Sequence, residues 1–314
     1  MSIGFRKLVA CAVLAFLTLP LNAADVDTSL LPVCRDLAGH APQVESRAAL
    51  INHPVMDKLR LGFGADFTPN PNLSDKAARI LETVDFIEAD LDTLIRDAHA
   101  AKTLLPDGAI PDDFKMYFVC GTPSDGYGFV IDGGTQLFVD VGNVSADFLP
   151  HLLMHEFWHV GFKNAFQDQF QAEYFSGDPM RRIAYQMVNE GVGHYYSMRR
   201  RLVPKITYDD WHDRTATIFG LLREKSADVL AAKTAQEQER LIYRGHAGVP
   251  YWRKWLAVPG AIITYRLIAR EGEAEVARLI KAGPCAFLSR YNTHADPARG
   301  ELVPEAIIKA TCAG

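Results

Sequence analysis

The chain has 314 residues, 48% hydrophobic and 23% charged, which suffices for a sizeable buried core and excludes a disordered polymer. Formal net charge is -5, and no basic stripe stands out, which argues against nucleic acid as the natural partner.

The first residues read as an export signal. Arg6 and Lys7 precede a short apolar run from Leu8 to Leu21, closed by Asn22-Ala23-Ala24. The run is too short for a membrane-spanning helix, so residues 1–23 are expected to be removed, with cleavage after Ala23 or Ala24. The remaining chain, 24–314, is then periplasmic or secreted, with no stable membrane insertion. Four cysteines survive the cleavage: Cys34, Cys120, Cys285 and Cys312. An even number in an exported chain predicts two disulfides. The closeness of the last two in sequence favours Cys285–Cys312 and leaves Cys34–Cys120.

Residues 25–73 look irregular, with scattered Pro, Asn and Gly. Ser74 reads as an N-cap. After it, apolar residues from Ala77 through Ile80, Val84, Ile87 and Leu91 to Ile95 recur at helical spacing and predict one long amphipathic helix. Met116–Cys120, Tyr127–Ile131 and Gln136–Val141 read as strands, the last two antiparallel across the turn signal Asp132-Gly133-Gly134. Asp147 is the expected N-cap of a helix with Pro150 in its first turn. Further helices are expected over about 180–201, 208–232, 260–270 and 273–281. Strands followed by helices predict an α+β protein, a single domain with lobes of about 24–166 and 167–314.

The helix after Pro150 carries His155-Glu156-Phe157-Trp158-His159, an H-E-x-x-H pattern. Positions i and i+4 share one helix face, so the two imidazoles can bind one Zn2+, and Glu156 is placed to take a proton from water. Catalytic zinc takes a third protein ligand. The metzincin continuation, H-E-x-x-H-x-x-G-x-x-H, is excluded, because Phe162 and Ala165 stand where it needs Gly and His. Downstream runs Asn189-Glu190-Gly191-Val192-Gly193-His194-Tyr195, with two glycines that suggest close approach to the first helix.

With H-E-x-x-H, the Asn189-Glu190 stretch resembles the two signatures of the gluzincins, the thermolysin-like and aminopeptidase-like zinc peptidases. The resemblance spans about residues 136–195. It implies a zincin-like fold, Glu190 as third zinc ligand, Glu156 as general base, and a Tyr or His from the C-terminal lobe that stabilises the oxyanion. Tyr251 and His246 are the preferred candidates for that last role, with Tyr243 and Tyr265 behind them. It also implies that an edge strand pairs with extended substrate, and the strand Gln136–Val141 is the candidate. Two departures stand out. The spacer between His159 and Glu190 is long, implying a loop over about 167–179, and His194 occupies a position where thermolysin-like enzymes carry aspartate. Glu173, Asp168, Asp178 and His194 are the competing third ligands.

The leading expectation is an exported zinc metallopeptidase acting on a peptide or protein substrate. Two alternatives accompany it: a zinc amidase acting on a non-protein amide such as cell-wall peptide, and a non-catalytic binding protein on the same scaffold.

Overall fold

The computed structural model describes residues 26–39, 44–111, 114–131, 134–174, 177–199 and 208–313. The signal-like segment and the Asp132-Gly133 turn lie outside them. The described chain is mixed α and β, mostly helical around one small sheet.

The segment expected to be irregular opens with strand β1 (Val26–Asp27) and three helices, α1 (Leu31–Gly39), α2 (Val44–Ile51) and α3 (Pro54–Phe63). Their apolar residues escaped notice because the helices are short, eight to ten residues each, and contribute only one to three buried side chains apiece. The single long helix expected after Ser74 is two. A 3-10 turn at Ser74–Lys76 leads into α4 (Ala77–Ala89), and α5 (Leu91–Ala98) starts afresh. Asp90 causes the break: it leaves helical geometry at φ -159° and its carboxylate accepts from Thr93 N, so it caps the second helix.

Strands β2 (Lys115–Val119), β3 (Gly126–Ile131) and β4 (Gly134–Asp140) complete a four-stranded sheet in the order β1-β2-β4-β3. β1, β2 and β4 are parallel, and β3 returns antiparallel to β4, in register from Gly126↔Val139 to Ile131↔Gly134. The expected antiparallel pair is therefore present. However, β4 is an inner strand, and β3 forms one edge, opposite β1. Burial follows this order. Met116–Val119 and Gln136–Asp140 are buried throughout, as parallel inner strands require, whereas Gly128 and Val130 on β3 are exposed.

The helix α6 (Leu149–Ala165) follows β4 and packs against the sheet. Pro150 sits in its first turn, but the N-cap is Phe148, without a side-chain cap bond. Asp147 instead accepts from Ser145 Oγ. The expected loop after α6 contains a helix, α7 (Gln167–Tyr174), before α8 (Pro179–Arg199). Next come α9 (Tyr208–Ala231), α10 (Ala235–Tyr243), α11 (Ala257–Glu271), α12 (Glu273–Lys281), α13 (Pro284–Asn292) and α14 (Glu305–Cys312). α8 lies between α6 and α11, and one hydrophobic core cluster runs from Leu30 to Ile307. Among the described residues, no helix is long and apolar enough to cross a membrane.

Both expected disulfides are present. Cys34–Cys120 ties α1 to the end of β2 with Cα atoms 6.0 Å apart, and Cys285–Cys312 ties α13 to α14 at 5.1 Å.

The α8–α11 crossing explains one of the two glycines on α8, for a reason different from the expected one. A Cβ on Gly191 would lie 2.5 Å from Gly260 Cα on α11, and a Cβ on Gly260 would lie 2.1 Å from Met187 O. These are backbone-to-backbone contacts that no rotamer change relieves. Gly260→Ala is expected to destabilise the fold by about 1–3 kcal/mol, measured by thermal unfolding. Unchanged stability would show that the two helices can separate without cost.

Candidate metal centre

α6 and α8 build the site jointly. Trp158 is fully buried, and its indole N–H donates to the Asn189 carbonyl at 2.7 Å. This bond pins the H-E-x-x-H turn of α6 to the Asn189-Glu190 turn of α8. Gly193 provides the space between them. A Cβ there would sit 2.9 Å from His155 Nδ1 and 3.3 Å from the Trp158 ring, so here the expected approach of α8 to the histidine helix holds.

The consequence is convergence. His155 Nε2 and His159 Nε2 lie 2.9 Å apart, and Glu190 Oε2 lies 3.8 Å and 3.6 Å from them. Zinc bonds of 2.0–2.2 Å in a tetrahedron place ligand atoms about 3.3–3.5 Å from one another, so the observed separations bracket those of a bound ion. Two imidazoles and a carboxylate are also a donor set zinc prefers in sites with an open position. The three side chains are 12–14% exposed, within reach of solvent on one side only. Among the described residues, this is the group of His, Cys, Asp and Glu side chains placed to hold a metal.

The competing third ligands lie elsewhere. Glu173 is bound by Arg181 through two hydrogen bonds of 2.6 and 2.9 Å, and Asp178 accepts from Met180 N. Asp168 is exposed on α7. His194 lies beside the cluster, its Nδ1 3.9 Å from Glu190 Oε2, but both ring nitrogens are engaged: Nδ1–H donates to the Glu190 carbonyl at 2.9 Å, and Nε2 accepts from Lys254 Nζ at 3.1 Å.

Residues outside the ligand set tune it. Asn189 Oδ1 lies 2.9 Å from His159 Nδ1, accepting its proton and leaving Nε2 with a lone pair for the metal. Asn189→Ala is expected to lower zinc affinity about 10–100-fold, read by competition with a chelator. An unchanged affinity would show that His159 needs no orienting partner.

Burial pulls His155 well below the ordinary histidine range, with His159 adding to the effect. Burial also works to raise Glu190, but the imidazoles of His159 and His246 outweigh it and hold the carboxyl well below its usual value. The carboxylate is therefore charged before any ion arrives. Glu156 is the opposite case. Burial, helped by Asp125 and Glu190, pushes it up to about 7 against the pull of His159. It leans on the sheet edge, where a Cβ on Gly126 of β3 would sit 2.7 Å from Glu156 Oε1. A side chain in place of this glycine would push the Glu156 carboxyl out of its present position.

These groups line a cavity of about 1100 Å³ between the β3 edge, α6, α8 and residues 243–254. Phe63, Tyr127, Phe148 and Tyr243 give it apolar walls. His246 and Tyr251 both reach it. His246 Nδ1 lies 3.5 Å from Glu190 Oε1, and the Tyr251 ring packs 6.0 Å from that of His194. Tyr265, by contrast, is 41% exposed and does not line the cavity. Two contributors escaped sequence reading, and Asn189, read there as part of the Asn189-Glu190 signature, was not read as the partner of His159. Gly126 carries no signal beyond an ordinary strand glycine. Lys254, a single lysine between Trp252 and Trp255, looks like a surface charge.

No match was found among curated proteins or solved structures. The family model described as "Putative zinc dependent peptidase (DUF5700)" matches residues 72–298, a span that includes both histidines, Glu156, Glu190 and the 243–254 wall. With nearly three quarters of its length inside that model, the chain belongs to this family, and the zinc dependence in the family's description agrees with the His-His-Glu cluster.

Proposed function

We propose that the protein is an exported zinc metallopeptidase of gluzincin type that hydrolyses peptide bonds in the cavity between α6, α8 and the β3 edge. The observation that carries this reading is the meeting of His155, His159 and Glu190 beside a buried Glu156. His155, His159 and Glu190 would hold the ion. When bound, zinc supplies Lewis acidity, making water more acidic and a peptide carbonyl more electrophilic.

The remaining work belongs to the chain. Glu156, ionised, accepts the proton of the attacking water and returns it to the leaving nitrogen. Its raised pKa suits this exchange, because a group near neutrality both takes and gives a proton readily. β3 pairs with β4 on one side only among the described residues, so its outer backbone is open to an extended peptide. Its Gly126 end lies against Glu156, which sets a bond in that peptide beside the base. His246 steadies the second oxygen of Glu190, and Tyr251 faces the substrate from the same wall. Export is supported by the signal-like first 23 residues and by two disulfides, which persist in oxidising compartments.

The test is digestion of a mixed peptide library by the purified protein. Cleavage should stop with a chelator and return with zinc. Peptides left intact while cell-wall amides are cleaved would replace this reading with the amidase one.

A further inference from the structure

Lys254 stands in the cavity as a cation with no described carboxylate within ion-pair distance. Its Nζ donates to His194 Nε2 at 3.1 Å. That acceptor is fixed, because His194 Nδ1–H is committed to the Glu190 carbonyl and leaves the Nε2 lone pair facing Lys254. The ammonium therefore spends one N–H on His194 and keeps two. Its backbone is equally anchored, donating to Tyr251 O at 3.0 Å and accepting from Val258 N at 3.0 Å where α11 begins.

A half-buried ammonium without a counter-ion is costly and calls for an anion to meet it. The resting site contains negative groups, and Glu190 and Asp125 favour the ammonium from a distance, but each makes its closer contacts elsewhere. Glu190 faces the histidines, Glu156 leans on Gly126, and Asp125 accepts from Ser124 Oγ and Gly126 N. The anion that arises next to the ion position is one created by the reaction. His194 connects Lys254 to that position closely, being bonded to the carbonyl of ligand Glu190 and packed edge-to-face on ligand His155 with centroids 4.8 Å apart. Lys254 also enters from a different wall than Glu156, the arrangement needed for a base and an electrophile to act on one carbonyl.

We propose that Lys254 is a catalytic residue whose ammonium takes the negative charge developing on the scissile carbonyl oxygen. This rests on the peptidase reading above. As the water oxygen bonds to the carbonyl carbon, the carbonyl π pair moves onto its oxygen, beside Lys254, and the water proton moves to Glu156. When the C–N bond breaks, the carbonyl re-forms and Glu156 passes that proton to the leaving nitrogen. Lys254 keeps its own protons throughout. Preorganised donors of this kind are worth about 10²–10³ in kcat.

The experiment compares wild type, K254M, K254R and K254Q, each with zinc content and melting temperature measured, on one peptide with a free and with an amidated C-terminus. K254M is expected to lose about 10²–10³ in kcat on both substrates with little change in KM, and to bind an anionic phosphinic peptide more weakly by a similar factor. K254R should retain far more activity than K254Q, although both can donate to His194. That pair carries the test if K254M fails to fold. Equal activity of K254R and K254Q, a change confined to KM, or a loss seen only with the free carboxylate would overturn the assignment. The last result would make Lys254 an anchor for the substrate terminus. If zinc-loaded wild type cleaves no peptide, the peptidase reading fails and takes the assignment with it. If wild type cleaves and K254M equals it, only the assignment fails.

Discussion

Glu156→Gln is expected to lower peptide hydrolysis by about 10²–10⁴-fold while leaving about one zinc bound per chain, because the change removes a base and not a ligand. Glutamine is nearly isosteric, so it fits the gap that Gly126 leaves for this side chain. The wild-type pH profile should carry the same signature. Burial raises Glu156 to about 7, and the protonated carboxyl cannot accept a proton, so kcat/KM must rise with pH as the group ionises. A bound dication favours the carboxylate and shifts this acid limb downward, so it should fall between the ordinary value of 4.5 and about 7. In the Gln variant the residual activity should lose that limb. Full activity in the variant, or an unchanged acid limb, would remove Glu156 from the mechanism.

Glu190→Gln is expected to weaken zinc binding by more than the roughly 10–100-fold attributed to an orienting partner such as Asn189, because a charged ligand is lost. Zinc titration of the variant against a chelator measures the loss. Glu173→Gln is the control. Its carboxylate is occupied by Arg181, so its loss should leave zinc affinity unchanged even if stability falls slightly. Equal weakening in both variants would mean that the effect travels through the fold, and equal retention would return the third-ligand question to the rest of the cavity. Glu190 should also be insensitive to pH across the neutral range, since its imidazole neighbours hold it well below the usual carboxylate value.

The site was legible where chemistry and local geometry coincide. His155 and His159 share a helix face by spacing alone, and the Glu190 stretch was found by its motif and is brought to them in the structure. The two disulfides were legible from the number of cysteines and their separation. Reading failed where a residue's meaning depends on what crosses it. Gly191 and Gly193 look alike in sequence, yet one faces the backbone of Gly260 and the other the ring of His155. His246 and Tyr251 were named as site residues for their chemistry, and both line the cavity, but contact between His246 and the ligand Glu190 depends on how the 243–251 segment folds back over α8.

By itself the sequence determined the metal-ligand helix and the strand pair before it, and it favoured the cysteine pairing that the structure forms. Each rests on a period, a spacing or a count within one stretch of chain. Tertiary structure alone decided that β3 and not β4 is a sheet edge, that Asn189 orients His159, that Gly126 makes room for Glu156, and that Lys254 stands in the cavity rather than in solvent. The physical reason is the same in all four. Edge position, hydrogen-bond partner, free volume and desolvation are properties of what lies across a gap, and residues far apart in sequence fill that gap only after the chain has folded.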